Sequence, residues 1–315
     1  MQVAIVLFTL FTATMANGTV FATLGLFGRE AGLGEFEVGM VFASSGVLFF
    51  LTASAWGRLS DRFGRGAIMA AGLAATALSL TLFAAFYAAL LPYTFLGLLV
   101  ALAALAIVGV REGPRPAAMA QAEGAPVDGL AAYALLAFVM VLGFGAMQPT
   151  TAFYVQDRFG LETEAEIRAT GYASAAFAAG AFLMQAFGVR ALALEMRDMM
   201  ALGFVLCLAG IAGTLVARSP NVLIAAFPVL GVGYGLAQAG LMIDAARLGG
   251  EHRQGLVTGR LQAGMAAGWI VGALAGTALY GLSIRAPILI AGAALALCAL
   301  RTALPGVRTP SAPPP

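Results

Sequence analysis

Residues 57–66 read GRLSDRFGRG and separate two long apolar runs, residues 36–56 and 67–89. Each run holds the roughly 20 mainly apolar residues that a helix needs to cross a bilayer. The stretch between them is short, polar and rich in arginine, which suits the boundary between membrane and water. The three segments together predict two membrane helices joined by a tight polar loop.

The composition of the whole chain supports this interpretation. Hydrophobic residues make up 61% of the 315 residues and charged residues only 10%, whereas soluble domains carry about 25% charged residues. A soluble core could not bury so much apolar surface, so lipid must surround most of the chain. The net charge is only +2, and the absence of a basic block argues against a nucleic-acid partner. The predicted class is an all-α polytopic membrane protein.

Apolar runs continue on both sides of this first pair and predict about ten membrane spans in all. Nearly every charge falls between the runs or at their ends. The predicted spans cover residues 3–27, 36–56, 67–89, 92–110, 130–152, 168–188, 198–217, 221–244, 257–281 and 285–304.

A polar interruption divides the spans into two sets. Residues 111–129 are rich in Pro, Ala and Gly and are typical of a linker. This predicts an N-terminal bundle of four spans over residues 1–110 and a C-terminal bundle of six over residues 130–304. The proline-rich tail, residues 305–315, is predicted to be disordered.

The arginines predict the orientation. With the N-terminus inside, twelve arginines lie on the inner side and five on the outer side, a clear positive-inside bias. Both termini are therefore expected in the cytoplasm, with the chain in the cell inner membrane. The acidic run Glu162, Glu164 and Glu166 falls on the outer side, where a solvated loop is the expected structure.

The quoted loop resembles the signature loop of the major facilitator superfamily, the large family of secondary transporters. The loop ends in Gly66, where the family often has a further basic residue. Glycine permits close helix approach and tight turns, and a carboxylate is favoured near a helix N-terminus. The loop is therefore expected to control conformation and not to bind a solute. Its matching residues are Gly57, Asp61, Arg62, Gly64 and Arg65.

The resemblance implies two pseudo-symmetric helical bundles around a central cavity. The family has six helices in each half, yet only four spans precede the linker here. The equivalents of the family's fourth and fifth helices are expected to be missing, either naturally or through a deletion in the gene. The N-terminal bundle would then have an open flank, which lipid, a partner helix or a second copy of the chain in a homodimer would fill.

A glycine ridge recurs in the ninth predicted span. Its spacing of four residues places all its members on one helix face, where a neighbouring helix can pack backbone to backbone. Part of it resembles the family's glycine-rich antiporter motif, without that motif's proline. The packing role is the favoured one for Gly264, Gly268, Gly272 and Gly276.

Few polar residues lie within the spans, and each is a candidate for solute binding. The competing explanation for each is a hydrogen bond between helices. No acidic residue is expected at mid-membrane, and Asp244 is expected to be a charge at a cytoplasmic helix end, so proton coupling is not supported. Gln262 is a further polar span residue. The predicted solute contacts are Asn17, Gln148, Gln185, Gln238 and Trp269.

The predicted function is secondary transport or efflux of a small organic solute, apolar or amphipathic, by alternating access. The alternative is a non-transporting, shortened relative that acts as a membrane accessory protein or is a degenerate product. The sequence offers no nucleophile with a base, no nucleotide-binding loop and no metal-ligand spacing, so neither an enzyme nor a cofactor is expected.

Overall fold

The computed structural model describes residues 24–25, 28–29, 31–87, 127, 129–192, 194–249 and 253–304. For residues 49, 52–62, 65, 83–87, 190 and 255 it describes the backbone alone. Asn17, the predicted fourth span, nearly all of the linker and the tail lie outside the described residues.

The described chain is helical, and no strand occurs within it. A 3₁₀ turn, Gln148–Thr150, joins the third helix to the fourth, and a π turn, Met184–Gly188, joins the fifth to the sixth. The helices are α1 Glu35–Phe63, α2 Arg65–Tyr87, α3 Leu130–Met147, α4 Thr151–Phe159, α5 Thr163–Leu183, α6 Val189–Leu192, α7 Met196–Val216, α8 Pro220–Gly249, α9 Gln254–Tyr280 and α10 Ala286–Ala303.

The prediction of a loop at residues 57–66 is wrong, because nearly all of this stretch is helical. Helix α1 continues to Phe63 and α2 begins at Arg65, so Gly64 alone interrupts the helical backbone. Gly64 has a φ of +92°, a left-handed conformation that glycine adopts readily. The error has a physical cause: a helix that leaves the bilayer can remain helical in water, and polar residues do not by themselves end it.

Five helical stretches of the described chain are long and apolar enough to cross a membrane. The count of ten spans, and their division into four and six, remains a prediction. The five stretches are Leu130–Phe159, Met196–Val216, Pro220–Gly249, Leu256–Tyr280 and Ala286–Ala303.

The chain divides into two compact units. The first comprises residues 1–20 and 51–116. Within its described part, Leu73, Ala77 and Leu80 of α2 are buried. Their spacing of four and three residues places them on one helix face, which is therefore the packed face of α2.

The second unit comprises residues 21–50 and 117–315. Helix α9 packs along α3, α8 packs along both α7 and α5, and α10 packs on α3 and α7. Large side chains such as Phe153, Phe204 and Leu241 are completely buried where these helices meet. The core of this unit is therefore a bundle of packed helices.

Many large apolar side chains of this unit point outward. Leu135, Val216 and Leu297 are 61%, 70% and 56% exposed. Soluble proteins rarely expose contiguous apolar patches, whereas helices that face lipid do so throughout. The exposed surface therefore fits a bundle surrounded by acyl chains.

Helix α9 packs on α3 through its glycine ridge. A Cβ atom at Gly264, Gly268, Gly272 or Gly276 would lie within 3.0 Å of a backbone oxygen of α3, closer than real Cβ atoms come. The oxygens belong to Ala134, Phe138, Leu142 and Ala146, which are also spaced by four residues. The two helices thus touch backbone to backbone at four successive levels.

Glycines of α8 make similar contacts on two sides. Cβ atoms at Gly231 and Gly235 would meet backbone oxygens of α5, and one at Gly233 would meet the backbone oxygen of Gly203 in α7. Alternating glycines therefore let α8 lie close to two helices at once, as small residues do in membrane bundles.

Candidate functional site

Two of the predicted solute contacts meet directly. The Nε2 atom of Gln185 donates a hydrogen bond of 2.9 Å to Oε1 of Gln238, which joins the π turn after α5 to α8. Both residues are partly buried. An amide has two donors and an acceptor oxygen with two lone pairs, so one shared bond leaves both side chains with further hydrogen-bonding capacity.

Trp269 of α9 lies against α1. Its indole Nε1 donates a hydrogen bond of 3.3 Å to the backbone oxygen of Phe42, and the two rings meet edge to face with centroids 6.5 Å apart. The space beside Gly46 of α1 is also occupied by the Trp269 side chain. Trp269 therefore forms part of the contact between α1 and α9.

The other predicted residues are described only in part. Gln148 begins the 3₁₀ turn between α3 and α4 and is partly buried. Asn17 lies outside the described residues, and the structure describes Gly57, Asp61, Arg62 and Arg65 by their backbone alone. Their proposed roles remain predictions.

An aromatic cluster lies close to the glutamine pair. Phe144 of α3, Phe177 of α5 and Tyr234 of α8 form it, with centroid separations of 4.6 Å between Phe144 and Tyr234 and 5.7 Å between Phe177 and Tyr234. Tyr234 lies one helical turn before Gln238, so the two share a face of α8. This cluster could not be predicted, because an aromatic residue in an apolar span has no distinguishing pattern.

A second polar group surrounds Arg29 and is called the Arg29 cluster: Arg29, Glu35, Gln156, Asp157 and Tyr280. Arg29 Nη1 donates to Gln156 Oε1 at 2.6 Å and to Asp157 Oδ1 at 3.0 Å. Arg29 Nη2 donates to Asp157 Oδ2 at 3.0 Å and to Glu35 Oε1 at 2.8 Å. The pairing with Asp157 is bidentate, the strongest geometry for an arginine and a carboxylate.

Further contacts fix the position of the arginine. The Tyr280 hydroxyl donates to Asp157 Oδ2 at 2.7 Å, and the guanidinium lies 4.5 Å from the centre of the Phe153 ring. The hydrogen bond to Asp157, with Glu35 adding to it, raises the pKa of Arg29 despite partial burial. The cluster thus ties residue 29 and the start of α1 to the ends of α4 and α9.

Glu166 is not the solvated loop residue that the sequence predicts. It lies in the first turn of α5, two residues before the predicted span, and its side chain is 0% exposed. Oε1 accepts a hydrogen bond of 2.6 Å from the Thr170 hydroxyl, while Oε2 is buried without a hydrogen-bond partner among the described residues. Burial raises the pKa of Glu166 to about 7, against smaller opposing effects of Thr170 and Arg29.

Asp244 also departs from its prediction as a charge at a helix end. It is only 4% exposed, and its Oδ2 accepts a hydrogen bond of 2.6 Å from the Tyr133 hydroxyl. This bond joins α8 to α3. The expectation failed because α8 continues to Gly249, which places Asp244 inside the packed bundle.

Within the described residues, no group of three or more His, Cys, Asp or Glu side chains could hold a metal ion. Cys207 and Cys298 are both buried and free. The chemistry of the described site is thus that of amides, aromatic rings, hydroxyls and one arginine–carboxylate cluster.

Taken together, the apolar helices, the lipid-facing surface and the sparse internal polar groups define a multi-pass helical membrane protein. The family model of the Major Facilitator Superfamily matches residues 133–315. The chain belongs to this superfamily of transporters.

Solved structures agree on the fold, and 64 chains match. One of them is the crystal structure of the human organic anion transporter MFSD10 (TETRAN), with a TM-score of 0.54 and 16% sequence identity. The match covers 94% of this chain and 83% of that one. A comparison with curated proteins gave no match.

Proposed function

We propose that this chain is a secondary transporter that moves a small organic solute, apolar or amphipathic, by alternating access between two helical bundles. Membership of the Major Facilitator Superfamily supports transport in general. The similar human structure is that of an organic anion transporter, which supports an organic solute. In this proposal the chain is neither an enzyme nor dependent on a cofactor.

The observation that carries the solute class is the amide pair beside the aromatic cluster. Gln185 and Gln238 offer hydrogen-bonding capacity beyond their shared bond, and Tyr234 with Phe144 offers aromatic faces one turn away. Ligand sites commonly combine apolar walls with a few polar groups that fix orientation. In the proposal, Asn17, Gln148 and Trp269 complete the solute contacts.

The motif at residues 57–66 has a conformational role in this proposal. In this proposal Asp61 acts on conformation and does not bind the solute, because the helix dipole favours a carboxylate near a helix N-terminus. The same conformational role is proposed for the other motif residues, Gly57, Arg62, Gly64 and Arg65. The state of the motif would set the balance between inward-open and outward-open forms.

The proposed setting is the cell inner membrane, with both termini in the cytoplasm and transport in the direction of efflux. The arginine asymmetry supports the orientation. A homodimer is proposed to cover the flank left open by the two missing helices. Ten spans in a four-plus-six arrangement belong to the same proposal.

Binding and flux can be measured separately. The Trp56→Phe variant leaves Trp269 as the single tryptophan, and quenching of its fluorescence by ethidium and by carboxyfluorescein tests an amphipathic cation and an amphipathic anion. Proteoliposomes loaded with the same dyes then report flux. The proposal expects at least one dye to bind saturably and to cross the membrane faster than in protein-free vesicles.

The glutamine pair provides a sharper test. Gln185→Leu combined with Gln238→Leu removes both amides together and leaves neither unpaired, so a purely packing role predicts unchanged binding. The proposal expects a loss of affinity of about tenfold, close to the value of one net hydrogen bond to a ligand. Gln254→Leu, the same change at an exposed position at the start of α9, is the matched control and should bind as the parent does. Binding without flux in every condition would favour an accessory role.

A further inference from the structure

A fully buried carboxyl group with an unbonded oxygen is unusual in a folded protein. Glu166 has one such oxygen: Oε2 is buried and finds no hydrogen-bond partner among the described residues. Its other oxygen has only the Thr170 hydroxyl. A single hydrogen bond does not compensate an ionised carboxylate for the loss of water, so the group favours its neutral, protonated form.

The charge that acts on Glu166 is that of Arg29, which favours the ionised form. Helix α4, which packs on α5, carries Asp157 and Arg158 at this end. The start of α8, which also packs on α5, follows the exposed Arg218. On its own helix, Glu164 and Arg168 pair with each other in water.

Glu166, when ionised, therefore competes with Asp157 and Glu35 for the guanidinium of Arg29. In the observed arrangement it is bonded to Asp157 and Glu35, and Glu166 does not share these bonds. Once Glu166 loses its proton to water, it becomes a third anion that attracts the same guanidinium and needs solvent or a cation beside it. Ionisation thus opposes the arrangement in which Glu166 is buried and Arg29 is held by the cluster.

We propose that Glu166 is a proton-binding site that controls the Arg29 cluster: with the proton bound the cluster stays closed, and loss of the proton opens it and parts α1 from α9. The contact between α1 and α9 lies next to the cluster. Thr277, one turn before Tyr280, is 2% exposed and fills the space beside Gly39 of α1.

The direction of the pH effect follows from the two states. In the closed state the pKa of Glu166 is about 7, and its ordinary value is 4.5. Below pH 4.5 both states hold the proton, and the closed state has its full advantage. Between pH 4.5 and about 7 the open state releases the proton first, so the closed state loses this advantage tenfold per unit, to at most about 300-fold in total. Above pH 7 this loss is complete, so the open state is as populated as it can become through Glu166.

A cysteine at position 277 reports this opening. In the Thr277→Cys variant, reconstituted in nanodiscs, a membrane-impermeant maleimide should label the new thiol slowly at pH 5 and at least about tenfold faster at pH 8. Thiol reactivity itself depends on pH, so each rate is divided by that of Ser283→Cys, an exposed site three residues after Tyr280. Cys207 and Cys298 are buried, and the unsubstituted chain supplies the background.

The decisive variant is Glu166→Gln, a neutral mimic of the protonated group. It should keep the labelling ratio low at both pH values. Glu164→Gln, which removes an exposed carboxylate two residues away, should leave the full pH response in place. A tenfold rise that persists in Glu166→Gln would overturn the proposal, as would a parent ratio that does not change with pH.

A second variant keeps the test decisive if Glu166→Gln does not fold. Thr170→Val removes the hydroxyl that lowers the pKa of Glu166, so the midpoint of the labelling curve should move to higher pH. A midpoint that stays in place or moves to lower pH would count against Glu166 as the controlling group. Because labelling requires no solute, the result does not depend on whether the chain transports any dye.

Discussion

The glycine ridge between α9 and α3 makes Gly272→Ala a demanding substitution. A Cβ atom at this position would lie 2.9 Å from the backbone nitrogen of Ala146 and closer still to the backbone oxygen of Leu142. Ordinary van der Waals contact begins at 3.4 Å, so the shortfall is at least 0.5 Å. Both obstacles are backbone atoms, which cannot turn aside as a flexible side chain can.

The helices must therefore move apart along their whole contact. Overpacking of a well-packed interior costs about 1 to 3 kcal/mol, which for a chain of this size lowers the unfolding midpoint by about 1.5 to 4.5 °C. A coumarin maleimide that fluoresces on reaction measures this midpoint directly, because Cys207 and Cys298 are 0% and 1% exposed and react only when the bundle unfolds.

Gly259→Ala in the same helix is the matched control. Among the described residues, no atom of another helix lies within 4 Å of a Cβ at Gly259. Alanine should therefore stabilise α9 by up to about 1 kcal/mol through its better helix propensity and raise the midpoint slightly. If Gly272→Ala left the midpoint unchanged or raised it, the backbone contact between α9 and α3 would not have the importance argued for it.

Three further predictions concern the cluster, the topology and the motif. Arg29→Leu should raise the labelling rate of Thr277→Cys about fivefold at pH 5, which is the equivalent of about 1 kcal/mol for a partly exposed ion-pair group. Arg168→Leu breaks only the exposed pair with Glu164 and should leave that rate unchanged. Reporter fusions at Gly129 and at the C-terminus should both read cytoplasmic, and a single outside signal would contradict the topology. Asp61→Asn should change the labelling of Thr277→Cys while leaving quenching of Trp269 by a bound dye within about twofold; an altered binding constant with unaltered labelling would point to a role in the solute site.

The helical class could be predicted because it depends on long-range averages of the sequence. Runs of about 20 apolar residues leave the chain no other way to satisfy its backbone in lipid, and the family is recognisable from one short motif. Helix ends were harder, since α1 runs on to Phe63 through residues that look like a loop. The residues become polar there, as expected where a chain leaves the lipid, but the backbone stays helical.

The site was only partly accessible to the same reasoning. Gln185 and Gln238 stand out because amides are rare in spans, yet the bond between them depends on how α5 and α8 pack. Arg29 and Asp157 are 128 residues apart in the sequence and look like ordinary charges at span ends. Glu166 left one overlooked signal: with Thr170 and Ala173 it follows the spacing of four and three residues, and all three are buried. That helical phase would have placed it on the packed face of α5.

The two faces of α9 differ in a way that bears on mechanics. Toward α3, the contacts are backbone against backbone at four levels, so sliding would lift every glycine over a carbonyl group at once. Toward α1, Gly39 and Gly46 meet the side chains of Thr277, Ile270 and Trp269, which can change rotamer and yield. Helices α3 and α9 should therefore move together as one rigid body. Any hinge or sliding interface of the second unit should lie along its contact with α1.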